Sequence, residues 1–280
     1  MHPSKVKGFT LLELIMVIVI TGILATMTTD IITFPVKSYL DLGRRTTLVD
    51  TAEIALRHMQ RDIRRALPNS IRITGSGTVM EMLHTSDGGR YRSSQDSSKT
   101  PGSGLCDGNP GNDSLDLTVA DTCFEVMGSL KSFNPQSTTG EYVVIYNLGS
   151  GSVSADAYAG ANRALATDST NANAIMFTAL KFPYSSPQQR FFIVDTPVTY
   201  RCDVLTGRLL RYASYSIASS QPNPPGVDGQ LQANKISDCH FSYSSGGASR
   251  SGLVTIEIVV TDSVGESVRL MHQIHVDNAP

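Results

Sequence analysis

The chain has 280 residues, 40% of them hydrophobic, with no tryptophan, four cysteines and a formal charge of -2. That apolar content suits one globular domain with an appendage rather than several domains. The small net charge, with arginines gathered only between Arg57 and Arg65, argues against a nucleic-acid partner, and the missing tryptophan argues against an aromatic ligand cage.

Lys5 and Lys7 precede an apolar run from Phe9 to Met27, the charge order of an export signal. The run is close to the roughly 20 residues that cross a bilayer. The residues at its end, "ILATMTTD", are a poor small-residue cleavage site, so a retained anchor is expected rather than a cleaved peptide. One carboxylate, Glu13, interrupts the run. An ionised carboxylate at membrane depth costs a few kcal/mol or more, so something should neutralise it.

The order Gly8-Phe9-Thr10-Leu11-Leu12-Glu13 resembles the class III signal of type IV pilins and type II secretion pseudopilins. The resemblance implies that a prepilin peptidase removes a leader of residues 1–8 between Gly8 and Phe9 and methylates the new amino terminus of Phe9. It also implies that Glu13 meets the cationic amine of the next subunit and sets the register of a filament. Pairing the two would remove two desolvation penalties at once. The fold implied is α+β and pilin-like, a long N-terminal helix packed on a mostly antiparallel β-sheet head. Residues 9–32 would form a transmembrane and filament-core helix, and residues 68–280 a periplasmic or extracellular head. The location implied is the inner membrane before assembly, with a single span, and the pilus or cell surface afterwards.

Beyond the membrane, Leu48, Ala52, Leu56, Met59, Ile63 and Leu67 recur at three- and four-residue spacing, which predicts an amphipathic continuation over 33–67. Arg57, Arg61, Arg64 and Arg65 fall on the remaining face and read as solvated charge. Pro68 is expected to close the helix. Gly22, Pro35 and Gly43 are expected to bend it or melt it locally.

From Ser70 the apolar period becomes two. "SIRIT", "VMEML", "LDLTV" and "YVVIY" are short strand candidates, followed by "IMFTALKF", "RFFIVD", "VTYRCD", "RLLRYASY", "ISDCHFSY", "LVTIEIVVTD" and "SVRLMHQIHV". The turn "DSVGE" makes the last two a hairpin with Val254, Ile256, Ile258 and Val260 on one face, and "DVLTGRL" joins two strands of a meander. Three glycine-, serine-, asparagine- or proline-rich segments read as long loops: "SDGGRYRSSQDSSKTPGSGLCDGNPGNDS", "GSGSVSADAYAGANRALATDSTNAN" and "ASSQPNPPGVDGQLQAN". Cys106, Cys123, Cys202 and Cys239 lack zinc-site spacing and suit disulfides outside the cytoplasm. Three connectivities are open, and proximity favours Cys106 with Cys123 and Cys202 with Cys239.

No nucleophile elbow, phosphate loop, zincin motif or dinucleotide fingerprint occurs, so no catalytic residue and no cofactor is assigned. His272 and His275, three apart on a strand, point to opposite faces and do not form a metal pair. Asp107, Asn109, Asn112, Asp113 and Asp116 are dense enough in oxygen to suggest calcium, but turn chemistry explains the same residues more simply.

The stretches "RDIRRALPNSIRI" and "VDTPVTYRCDVLTGRLLRY" are similar to the MshO minor pilins of the mannose-sensitive haemagglutinin (MSHA) pilus system. That resemblance implies a low-abundance structural subunit that helps start the filament or sits near its tip. Its partners would be other pilins and minor pilins, the prepilin peptidase and the inner membrane. A J-type minor pseudopilin of type II secretion is the nearest alternative. A membrane-anchored envelope enzyme or ligand-binding domain is the alternative from another class.

Overall fold

The computed structural model of the protein describes residues 8–246 and 251–278. The leader proposed over 1–8, with Lys5 and Lys7, lies outside the described residues apart from Gly8. One helix, α1 (Leu11–Arg64), is followed by twelve strands: β1 (Arg72–Thr74), β2 (Val79–Arg90), β3 (Asp121–Glu125), β4 (Tyr142–Val144), β5 (Arg163–Thr167), β6 (Ala174–Leu180), β7 (Arg190–Asp203), β8 (Arg208–Tyr212), β9 (Gln230–Asn234), β10 (Ile236–Ser244), β11 (Gly252–Thr261) and β12 (Ser267–Val276). This is the α+β, pilin-like arrangement expected from the sequence.

Two compact units divide the chain within α1, between Val49 and Asp50. In the first, the helix carries exposed aliphatic side chains from Leu11 to Leu42. The melting expected at Gly22, Pro35 and Gly43 does not occur, and the helix runs unbroken through all three. A proline inside a helix forfeits one backbone bond, and intact turns on both sides hold the register.

In the second unit the apolar stripe of α1 is buried at Ala52, Ala55, Leu56, Met59 and Ile63. The helix ends at Arg64, three residues before Leu67. Ala66 N still donates to Ile63 O in a tightened last turn while Ala66 bridges His84, and Leu67 leaves the helix altogether, its N donating to Leu83 O of β2. Proline at 68 permits this extended exit.

Every paired strand runs antiparallel to its neighbour. The large sheet follows the order β1-β2-β7-β4-β5-β6-β3, with β8 on β7 and β9 on β8, and β10-β11-β12 form a second sheet. The two runs "RFFIVD" and "VTYRCD" are one strand, β7. Pro197 does not break it because β4 pairs only as far as Val194 and β8 only from Thr199, leaving that edge without a neighbouring strand at Pro197. "LDLTV" is not a strand: Leu115 is buried and donates to Arg92 O, but Asp116 N and Thr118 N go to the carboxylates of Asp121 and Asp116 in a local turn, and the strand in that region is "DTCFE" of β3.

All three long loops are partly strand: "SDGGR" extends β2, "RALAT" is β5 and "QLQAN" is β9. Their polar composition hid them, but neighbouring strands supply pairing partners and Ala155, Ala157, Tyr158, Ala164 and Ala166 are buried. The core under the large sheet gathers Phe124, Phe177, Phe182, Phe191 and Tyr91, with tilted rings whose centroids lie 5.1 to 5.9 Å apart. In the second sheet Val254, Ile256, Ile258 and Val260 of β11 are all fully buried on one face, as their alternation predicts.

Candidate functional site

At its start the helix is closed by its own sequence. Leu11 is the first helical residue, so Thr10 is the N-cap and Glu13 the third position. The Thr10 hydroxyl accepts from Glu13 N at 3.3 Å and donates to Glu13 Oε2 at 3.1 Å, and Thr10 N donates to the same oxygen at 3.3 Å. This is a capping box, which satisfies N–H groups that the first turn of a helix otherwise leaves orphaned. It also sets the carboxylate at the positive end of the helix dipole. The spacing T-x-x-E announced this cap, and a reading centred on the charge of Glu13 passed over it. Phe9 stands exposed just ahead of it. Among the described residues α1 is the one helix long and apolar enough to cross a membrane, and its most apolar window has no buried residue.

Cys106 is bonded to Cys123 and Cys202 to Cys239, with Cα separations of 5.8 and 6.5 Å. The first bond anchors a long loop to β3, and the second joins β7 of the large sheet to β10 of the other.

The oxygen-rich loop is occupied with itself. Asp107 accepts from Asn109 N at 2.8 Å and from Asn112 Nδ2 at 2.5 Å, and Asn109 Oδ1 accepts from Gly111 N at 3.0 Å. Asp116 accepts from the backbone and hydroxyl of Thr118, which holds its carboxyl below the usual carboxylate range. Asp113 is fully buried: one oxygen takes Leu105 N and Cys106 N, and the other takes Lys99 Nζ at 2.9 Å. Lys99 in turn bridges to Glu125 at 2.8 Å. The five residues therefore brace the first disulfide loop, and among the described residues no group of three metal-ligating side chains converges. His272 and His275 face opposite sides of β12, with His272 half-buried beside Leu270 and Ile274 and His275 exposed.

Two polar clusters escaped sequence reasoning because their members are far apart in the chain. Asp62 Oδ2 accepts from Tyr200 Oη and Arg211 Nε, both at 2.7 Å, tying α1 to β7 and β8. Burial, and then the charge of Asp62, push the Tyr200 hydroxyl well above its ordinary range. In the other cluster the fully buried Glu81 is bridged by Arg72 and accepts from Tyr215 at 2.7 Å. The Arg72 guanidinium also lies 3.6 Å from the Tyr158 ring centre and donates to the carbonyls of Ala218 and Ser219.

Residues 3–29 match the family model described as the prokaryotic N-terminal methylation motif. The match supports a type IV pilin or pseudopilin. It covers the capping box and the whole apolar run from Phe9 to Met27, and none of the head. Such a motif implies prepilin peptidase processing, membrane anchoring before assembly and assembly with other pilin-like subunits, and it points to a structural subunit rather than an enzyme. No curated protein and no solved structure matches the chain.

Proposed function

We propose that the chain is a low-abundance type IV pilin of the MSHA kind, similar to the MshO minor pilins. The peptidase cuts between Gly8 and Phe9 and methylates Phe9. Residues 9–32 hold the subunit in the inner membrane and then in the filament core, while the head lies in the periplasm and later at the cell surface. There it meets other pilin and minor pilin subunits and helps start the filament or sits near its tip.

The observation that carries this reading is the methylation motif at residues 3–29, with its one acid at the head of an otherwise apolar helix. Pairing Glu13 with the Phe9 amine of a neighbour offsets the cost of holding either charge in hydrocarbon. The two stretches that resemble MshO, over 61–73 and 194–212, meet in the folded head through Asp62, Tyr200 and Arg211.

The test is the amino-terminal residue and mass of the protein from envelope fractions of cells with and without the peptidase. The expected chain starts at N-methyl-Phe9 only when the peptidase is present. Glu13→Ala should leave that processing intact and reduce piliation. A deletion should lower pilus number without blocking protein secretion, the reverse of what a pseudopilin would do.

A further inference from the structure

A cavity of about 820 Å³ opens in the head where the end of α1, the β2–β7 pair and the end of β12 meet. That volume lies within the range of ligand clefts. Its floor is apolar, formed by Ile63, Leu67, Phe192 and Val276. On the β2–β7 pair Gly88 stands directly opposite Phe192 and Arg90 directly opposite Arg190, and residues two apart share a face. Gly88 leaves Phe192 open: a Cβ there would lie 3.4 Å from the Phe192 ring and 3.0 Å from the Phe191 carbonyl.

Three arginines, Arg64, Arg90 and Arg190, line the cleft beside one acid, Asp277. Like charges directly opposite on an antiparallel pair are destabilising. Arg190 has Asp277 at 3.7 Å, but that carboxylate is 77% exposed and its attraction is screened. Among the described residues no acid lies within ion-pair reach of Arg90 or of Arg64 at the lip of the cleft. A groove with an apolar floor and a surplus of guanidinium is complementary to a carboxylate carried beside an apolar group.

We propose that this groove docks an acidic, apolar-containing segment of a partner protein, with an apolar side chain on Phe192 and its carboxylates held by Arg90 and Arg64. A nucleic acid would use the arginines and leave the floor unfilled. An acyl chain would need an apolar lining throughout, whereas Thr85, Asn278 and the charged residues break this one. The proposal does not depend on the filament reading.

The test is fluorescence anisotropy on the full chain in detergent micelles, with empty micelles as the blank. The probes are a rhodamine-labelled peptide alternating leucine and glutamate and its leucine–glutamine counterpart. The glutamate peptide should bind about tenfold more tightly or better, and Arg90→Ala and Arg64→Ala should each weaken it about tenfold, in line with charge-assisted pairing. Arg208→Ala, an exposed charge on β8 outside the groove, should leave it unchanged. Arg90→Ala should melt at or above the wild-type temperature, because it relieves the like-charge pair. Equal binding of the two peptides, equal effects of Arg90→Ala and Arg208→Ala, or a lower melting temperature for Arg90→Ala would overturn the proposal. Binding of free 4-phenylbutanoate as tightly as the peptide would overturn the assignment to a protein segment.

Discussion

Single carboxylates in this head do structural work through the donors they collect. Asp87 Oδ2 accepts from the backbone N–H groups of Lys131, Ser132 and Phe133 at 2.6, 2.7 and 3.0 Å, and Oδ1 from Gly88 N at 2.9 Å. Partial burial raises its pKa, but these donors outweigh it and the carboxyl titrates below its ordinary value. A depressed folded pKa contributes stability above the unfolded value of about 3.9, and that contribution is lost as pH falls through the folded value. Asp87→Asn should therefore cost about 1–2 kcal/mol at pH 7, from weakened charge-assisted bonds. The difference from wild type should shrink below pH about 4, as read by urea unfolding at both pH values. Arg72 is the complementary case. Removing it as Arg72→Ala leaves Glu81 buried without its cation, which costs about 3–5 kcal/mol, while Arg72→Ala combined with Glu81→Leu should recover much of that loss. Neither role was visible in the sequence, because Arg72 and Glu81 meet through the β1–β2 register and Asp87 through a loop more than forty residues on.

At the scale of elements, the end of α1 is docked by apolar burial and by one polar clamp. Met59 and Ile63 are buried against the head, and Asp62 fixes the rotation of the helix by taking two donors on one oxygen. Asp62→Ala should cost about 2–3 kcal/mol, since it strands the buried Tyr200 hydroxyl as well as Arg211. Tyr200→Phe should cost about 1 kcal/mol, because the carboxylate keeps Arg211. Thermal melts of the two variants would check the order. The helical stripe was legible because its 3.6-residue period survives any tertiary detail. The end of the helix was not, because residues 65–67 are claimed by β2, a competition no local signal announces. Likewise β5 and β9 are alanine-, asparagine- and glutamine-bearing segments that become strands only because β4, β6 and β8 offer open edges.

For the molecule as a whole, the head is two antiparallel sheets held together across Cys202 and Cys239. The close approach of β10 to the turn after β1 needs Gly77, where φ is +93° and a Cβ would fall 2.4 Å from the His240 ring. Replacing both Cys202 and Cys239 by serine should cost about 2–5 kcal/mol. Loss of Cys106 and Cys123 should cost less, since the closed loop is shorter and Asp113 with Lys99 still ties it. Denaturant midpoints of the two double variants would rank them.

Local chemistry alone determined the apolar anchor, the capped acid at its head, the amphipathic stripe and the alternating core strands, because each is written in neighbouring residues and needs no partner to be recognised. Tertiary structure alone decided which polar residues are buried together, where the helix yields to a strand, and that Arg90 faces Arg190 beside an uncovered Phe192. Those features depend on register between strands about a hundred residues apart, and no window along the chain contains that register.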